Sequence, residues 1–94
     1  MKREEILKCA ANAVSQDHNS TYGSPEDSFL CIAQMWSSYL SKQGLLNDVL
    51  DSVDVAAMMV LLKVARINPE VSYLDNWIDM ACYAACGGEL DTDD

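Results

Sequence analysis

Residues 54–66 read Asp-Val-Ala-Ala-Met-Met-Val-Leu-Leu-Lys-Val-Ala-Arg, and the eight from Val55 to Leu62 are all apolar. A run this short falls far below the roughly 20 residues that cross a bilayer. It shows no alternation of the kind a half-buried strand requires. Read as a helix, it is apolar on every side, and such a helix must be surrounded by its own chain or by a second subunit. Asp51 or Ser52 opens it and Asp54 sits in its first turn. Lys63 and Arg66 stand in its last turn, and Asn68-Pro69 closes it. Only three further helices fit in 94 residues. They are too few to cover this one, so the sequence predicts a homo-oligomer.

Upstream, Ser24-Pro25-Glu26-Asp27 is a helix start: a capping hydroxyl, proline at the first helical position, and two acids at the positive end of the dipole. The helix it opens runs to about Lys42, turns Phe29, Ile32, Ala33, Trp36 and Leu40 inward, and ends at Gly44. Leu45, Leu46, Val49 and Leu50 predict a further short helical stripe. Ile6, Leu7, Ala10, Ala13 and Val14 repeat at helical spacing and place a first helix over about 2–15. A fourth starts near Leu74 or Asp75, turns Trp77, Ile78, Ala81, Cys82 and Ala85 inward, and weakens at Gly87-Gly88. The fold class is therefore all-α: a small up-and-down bundle of four helices over residues 1–90, with an acidic, frayed tail at 91–94.

Fifteen Asp and Glu against six Lys and Arg give a net charge of −9. The cations are spread thin, which argues against direct binding of nucleic acid, where clustered Lys and Arg must displace counterions. No segment spans a membrane. Carboxylates at Glu4 and Glu5 stand where a signal peptide needs an apolar stretch, so a cytoplasmic location is expected. Cys9, Cys31, Cys82 and Cys86 each lie among helix-core residues and read as small hydrophobes, not as a disulfide framework or a metal site.

A single histidine and the lack of Gly-x-Ser-x-Gly exclude a nucleophilic triad, and no glycine-rich turn supplies a phosphate loop. What remains lies at helix ends. Lys63 and Arg66 are three residues apart and project together from the close of helix 3. Asp75, Asn76 and Asp79 follow in the opening turns of helix 4. A short connection makes the two helices antiparallel, so all five residues meet at one end of the bundle. Such a cluster is either an interhelical ion-pair clip or a polar pocket. In a pocket the cations would take a phosphate, the carboxylates a ribose or Mg²⁺, and Tyr22, Trp77 or Tyr83 would offer a stacking face. The loop before helix 2 adds His18 and Tyr22 as ligand candidates.

The segments Tyr22-Gly23-Ser24-Pro25-Glu26-Asp27, Met58-Met59-Val60-Leu61-Leu62-Lys63-Val64-Ala65-Arg66 and Asp75-Asn76-Trp77-Ile78-Asp79, with Tyr83-Ala84-Ala85, resemble a family of short phage and prophage proteins. The resemblance covers about residues 4–90. The chain departs from the family's usual pattern at His18, where Arg is common, at Ser28, where Asn is, and at Cys82, where Gly is. A more distant likeness is to the all-α, MazG-like nucleoside triphosphate pyrophosphohydrolases, whose Mg²⁺ is held by Glu-x-x-Glu and Glu-x-x-Asp. This chain has no Glu-x-x-Glu. The leading expectation is thus a phage-encoded protein without catalysis or cofactor, binding a nucleotide or nucleotide-like small molecule in the host cytoplasm and sequestering a defence signal. The resemblance also implies an alternative, a Mg²⁺-dependent pyrophosphohydrolase drawing its ligands from Glu26, Asp75 and Asp79. The acidic surface supports a third reading, an interaction protein that inhibits a host protein.

Overall fold

The computed structural model describes residues 1–15 and 24–92, so His18 and Tyr22 lie outside the described residues. Among those described, all regular structure is helical: α1 (Arg3–Ser15), α2 (Pro25–Lys42), α3 (Ser52–Ala65) and α4 (Leu74–Thr92). No helix is long and apolar enough to cross a membrane.

Local chemistry sets the helix ends. Ser24 caps α2 by accepting a hydrogen bond from the Asp27 amide at 3.3 Å. At the other end Gly44 takes φ +73°, the Leu45 amide donates to the Leu40 carbonyl, and the Gly44 amide donates to that of Ser41. This paired bonding is a Schellman turn, for which a residue lacking Cβ is suited. Helix α3 opens with a reciprocal capping box: the Asp54 amide donates to Asp51 Oδ1 at 2.9 Å, and the Asp51 amide to Asp54 Oδ2 at 3.0 Å.

Packing runs in the order α2, α3, α4, α1, with the most extensive contact between α3 and α4. Phe29, Ala33, Val55 and Ala56 form the buried centre, surrounded by Ile32, Trp36, Leu50, Met59, Tyr83, Cys86 and Leu90. A separate contact joins Ala10 of α1 to Cys82 of α4, whose thiol donates to the Ala10 carbonyl at 3.6 Å. The arrangement is open. Its radius of gyration is 14.6 Å, where a compact chain of this length gives about 12 Å.

Four expectations are corrected. The stretch 45–50 is not helical. The Leu50 amide is held instead by Ser37 Oγ at 2.8 Å, and Leu45 and Val49 are each 73% exposed. Helix α4 does not weaken at Gly87-Gly88 but continues to Thr92, whose hydroxyl donates back to the Gly88 carbonyl at 2.8 Å. Of its expected inward face Cys82 is buried and Ile78 and Ala81 are half-buried, but Trp77 and Ala85 are exposed and Asn76 turns in instead. Finally, Cys31, read as lying among core residues, sits on an exposed face of α2. Helix α3 is covered by α4 and α2 on one side, and its other side is open to solvent.

The two adjacent glycines of α4 differ sharply. A Cβ at Gly87 would meet the Ala56 Cβ at 3.1 Å, whereas nothing lies within 4 Å of one at Gly88. Gly88→Ala is therefore expected to stabilise the fold by about 0.5–1 kcal/mol through helix propensity. Gly87→Val is expected to destabilise it by about 1–3 kcal/mol, because Ala56 moves only if the two helices part. Thermal unfolding followed by circular dichroism checks the opposite signs.

Candidate functional site

The site is built where α3 ends and α4 begins. Arg66 is the C-cap of α3, its amide bonded to the Lys63 carbonyl at 3.1 Å. The chain then turns through an Asn68 side chain that accepts from the Glu70 amide at 2.8 Å, and it re-enters helix at Leu74. Buried Asn76 fastens this hairpin by donating from Nδ2 to the Arg66 carbonyl at 3.1 Å. One otherwise unpaired carbonyl at the helix end is thereby satisfied.

Within the hairpin, Lys63 Nζ meets Asp79 Oδ2 at 2.8 Å, with the lysine side chain 13% and the aspartate side chain 38% exposed. The ion pair clips α3 to α4. Arg66, by contrast, is exposed and makes no ion pair among the described residues. Lys63, Arg66, Tyr73, Asp75, Asn76 and Asp79 together line a cavity of about 450 Å³. A second cleft of about 90 Å³ adjoins it, sharing Tyr73 and Asn76 and adding Ile67, Val71 and Trp77. The two make one concave end, cationic and carboxylate-bearing on one side and aromatic on the other.

The structure thus brings together five of the residues singled out in the sequence: Lys63, Arg66, Asp75, Asn76 and Asp79. Tyr83 is not among the residues lining the cavity. It stacks obliquely on Phe29, ring centroids 6.2 Å apart, at the edge of the core. Burial raises its pKa, with Lys63 opposing that rise and Asp79 adding to it. Glu26 is also not among the lining residues. It lies near enough to Cys86, eleven residues along α4 from Asp75, to help raise that thiol's pKa, chiefly raised by burial. The ligand set Glu26, Asp75 and Asp79 is therefore not gathered at one place, and no group of three His, Cys, Asp or Glu among the described residues could hold a metal ion. Cys82 is raised by burial and by Asp79. Both thiols are thus poor nucleophiles near neutral pH.

Sequence reading missed Tyr73, which lies in the connection and contributes to both cavities. An aromatic residue one position before a helix, two residues ahead of Asp75, is the signal that marks it.

The family described as "Domain of unknown function (DUF6378)" matches residues 5–91. The chain is similar to the Gene 55 protein of Mycobacterium phage D29, with 36% identity over 83 residues, covering 88% of this chain and 51% of that protein. It is also similar to the Gene 55 protein of Mycobacterium phage L5, with 33% identity over 79 residues, covering 84% of this chain and 47% of that one. The chain spans about half the length of these curated relatives. No solved structure gives a significant match.

Proposed function

This chain belongs to the DUF6378 family, and we propose that it is a phage-encoded protein that binds a nucleotide or nucleotide-like small anion in the host cytoplasm, withholding it from a host defence response. The observation that supports this most is the pairing pattern of the two cations. Lys63 is engaged with Asp79, while Arg66 stands exposed at the rim of the same cavity. A guanidinium is a rigid fork matched to phosphate oxygens. Tyr73 and Trp77 in the adjoining cleft offer faces for a planar ring. Asp75 would accept from a ribose hydroxyl. Binding requires no metal in this reading, and turnover is not part of it. The phage origin rests on the relatives, both phage proteins.

The test is a thermal-shift panel of nucleoside mono-, di- and triphosphates and cyclic nucleotides against the purified protein, with inorganic phosphate as reference. A ligand present at 100 times its Kd should add about 2.7 kcal/mol of stability, a shift of several degrees. If every nucleotide leaves the melting temperature where phosphate alone leaves it, the proposal is wrong. Mg²⁺-dependent release of pyrophosphate, lost in Asp79→Ala, would replace it with the pyrophosphohydrolase reading.

A further inference from the structure

We propose that two copies of this chain pair through the outward side of α3, antiparallel about a two-fold axis at Leu61. The side in question is continuous. Ala57, Met58, Leu61, Leu62, Val64 and Ala65 are all exposed, Leu61 at 63%, Val64 at 46% and Leu62 at 43%. Their spacing of three and four residues sets them along one stripe of the helix. Ala56, on the opposite side, is buried at 2%, and Met59 and Val60 beside it are half-buried. A contiguous apolar stripe facing water on a small protein marks an interaction surface.

Charge selects a second copy as the occupant. The chain carries a net charge of −9, yet no Asp or Glu occurs between Asp54 and Glu70. Two such molecules repel through most of their surfaces, and this stripe is where they meet without setting carboxylate against carboxylate. The stripe is also self-complementary, as a two-fold contact requires. Centred on Leu61, an antiparallel pair sets Ala57 against the partner's Ala65 and Met58 against the partner's Val64. Small residues oppose each other at both ends, which lets the backbones approach, and the larger side chains fill the middle. Lys63 is turned to Asp79 on α4. The stripe thus excludes the ion pair, and because its test reads self-association without any nucleotide, this proposal stands apart from the ligand reading.

A single pair of 14-residue helices buries less than the roughly 800 Å² per partner of a standard stable interface, so the association should be concentration-dependent. Sedimentation equilibrium from about 1 to about 200 µM spans the affinities expected of such an interface. The expected result is a monomer–dimer equilibrium that Leu61→Glu abolishes over the whole range, with helical circular dichroism unchanged because Leu61 makes little contact within its own chain. Val64→Lys serves as a second variant on the same stripe. Leu7→Glu, on a residue of α1 that is 62% exposed, should leave the dimer intact. A wild-type chain that stays monomeric throughout overturns the proposal, as does a dimer indifferent to both α3 variants or an assembly larger than two.

Discussion

Phe29→Ala is expected to lower the free energy of unfolding by about 3–5 kcal/mol. Phe29 is 8% exposed and belongs to the small buried centre, against which Tyr83, Trp36 and Met59 pack. Its removal deletes the largest side chain of that centre and leaves a cavity that three helices share. Relaxation cannot fill it easily, because Ala33 and Ala56 beside it are too short to reach across. A domain of this length has about 5–14 kcal/mol of total stability. The variant should therefore be partly unfolded at modest urea, with a midpoint far below that of the parent. Urea titration at fixed protein concentration measures it, the concentration being fixed because self-association feeds into apparent stability. A loss under about 1 kcal/mol would mean that α2 does not dock on α3 as described.

Arg66→Ala is expected to weaken nucleotide binding by about 10- to 100-fold, the worth of a charge-assisted hydrogen-bonded contact to phosphate. Stability should move by less than about 0.5 kcal/mol, as for other exposed positions without partners. Two features of the hairpin make this separation clean. The hydrogen bond that holds the turn uses the Arg66 carbonyl, which alanine keeps. The interhelical ion pair belongs to Lys63 and Asp79, which the substitution leaves alone. Calorimetric titration with the best ligand of the panel, alongside a melting curve, reads both quantities on one sample. Equal affinity in parent and variant would reduce the site to a structural clip.

How much of this was legible in the sequence differs by element. The ends of α2 and α3 were, because Ser24, Gly44, Asp51 and Asp54 act through bonds to their own neighbourhood. The convergence of Lys63, Arg66, Asp75, Asn76 and Asp79 was legible too, since an eight-residue connection leaves two helices little choice but to fold back. What escaped depends on distant contacts. Gly87-Gly88 looked like a break because glycine is a poor helix former. Gly87 has a reason to be there in the close approach of Ala56, about thirty residues away, whereas Gly88 has no such neighbour. Trp77 was turned inward on hydropathy alone, whereas the buried place went to Asn76, whose amide has a carbonyl to satisfy. The stripe at 45–50 is not helical, and its last amide, that of Leu50, is bonded to Ser37, a partner on another element. Asn76 itself was singled out as a ligand contact, and its hydrogen bond shows that it fastens the turn.

Helix α1 stands at the outer end of the packing order, with α4 as its principal neighbour. Its undocking would uncover the seat of Ala10, where the Cys82 sulfur lies. A thiol on the floor of a detachable element is a built-in gauge. The rate at which a small disulfide reagent reaches Cys82 reports how often the first thirteen-residue helix lifts away while the other three remain assembled.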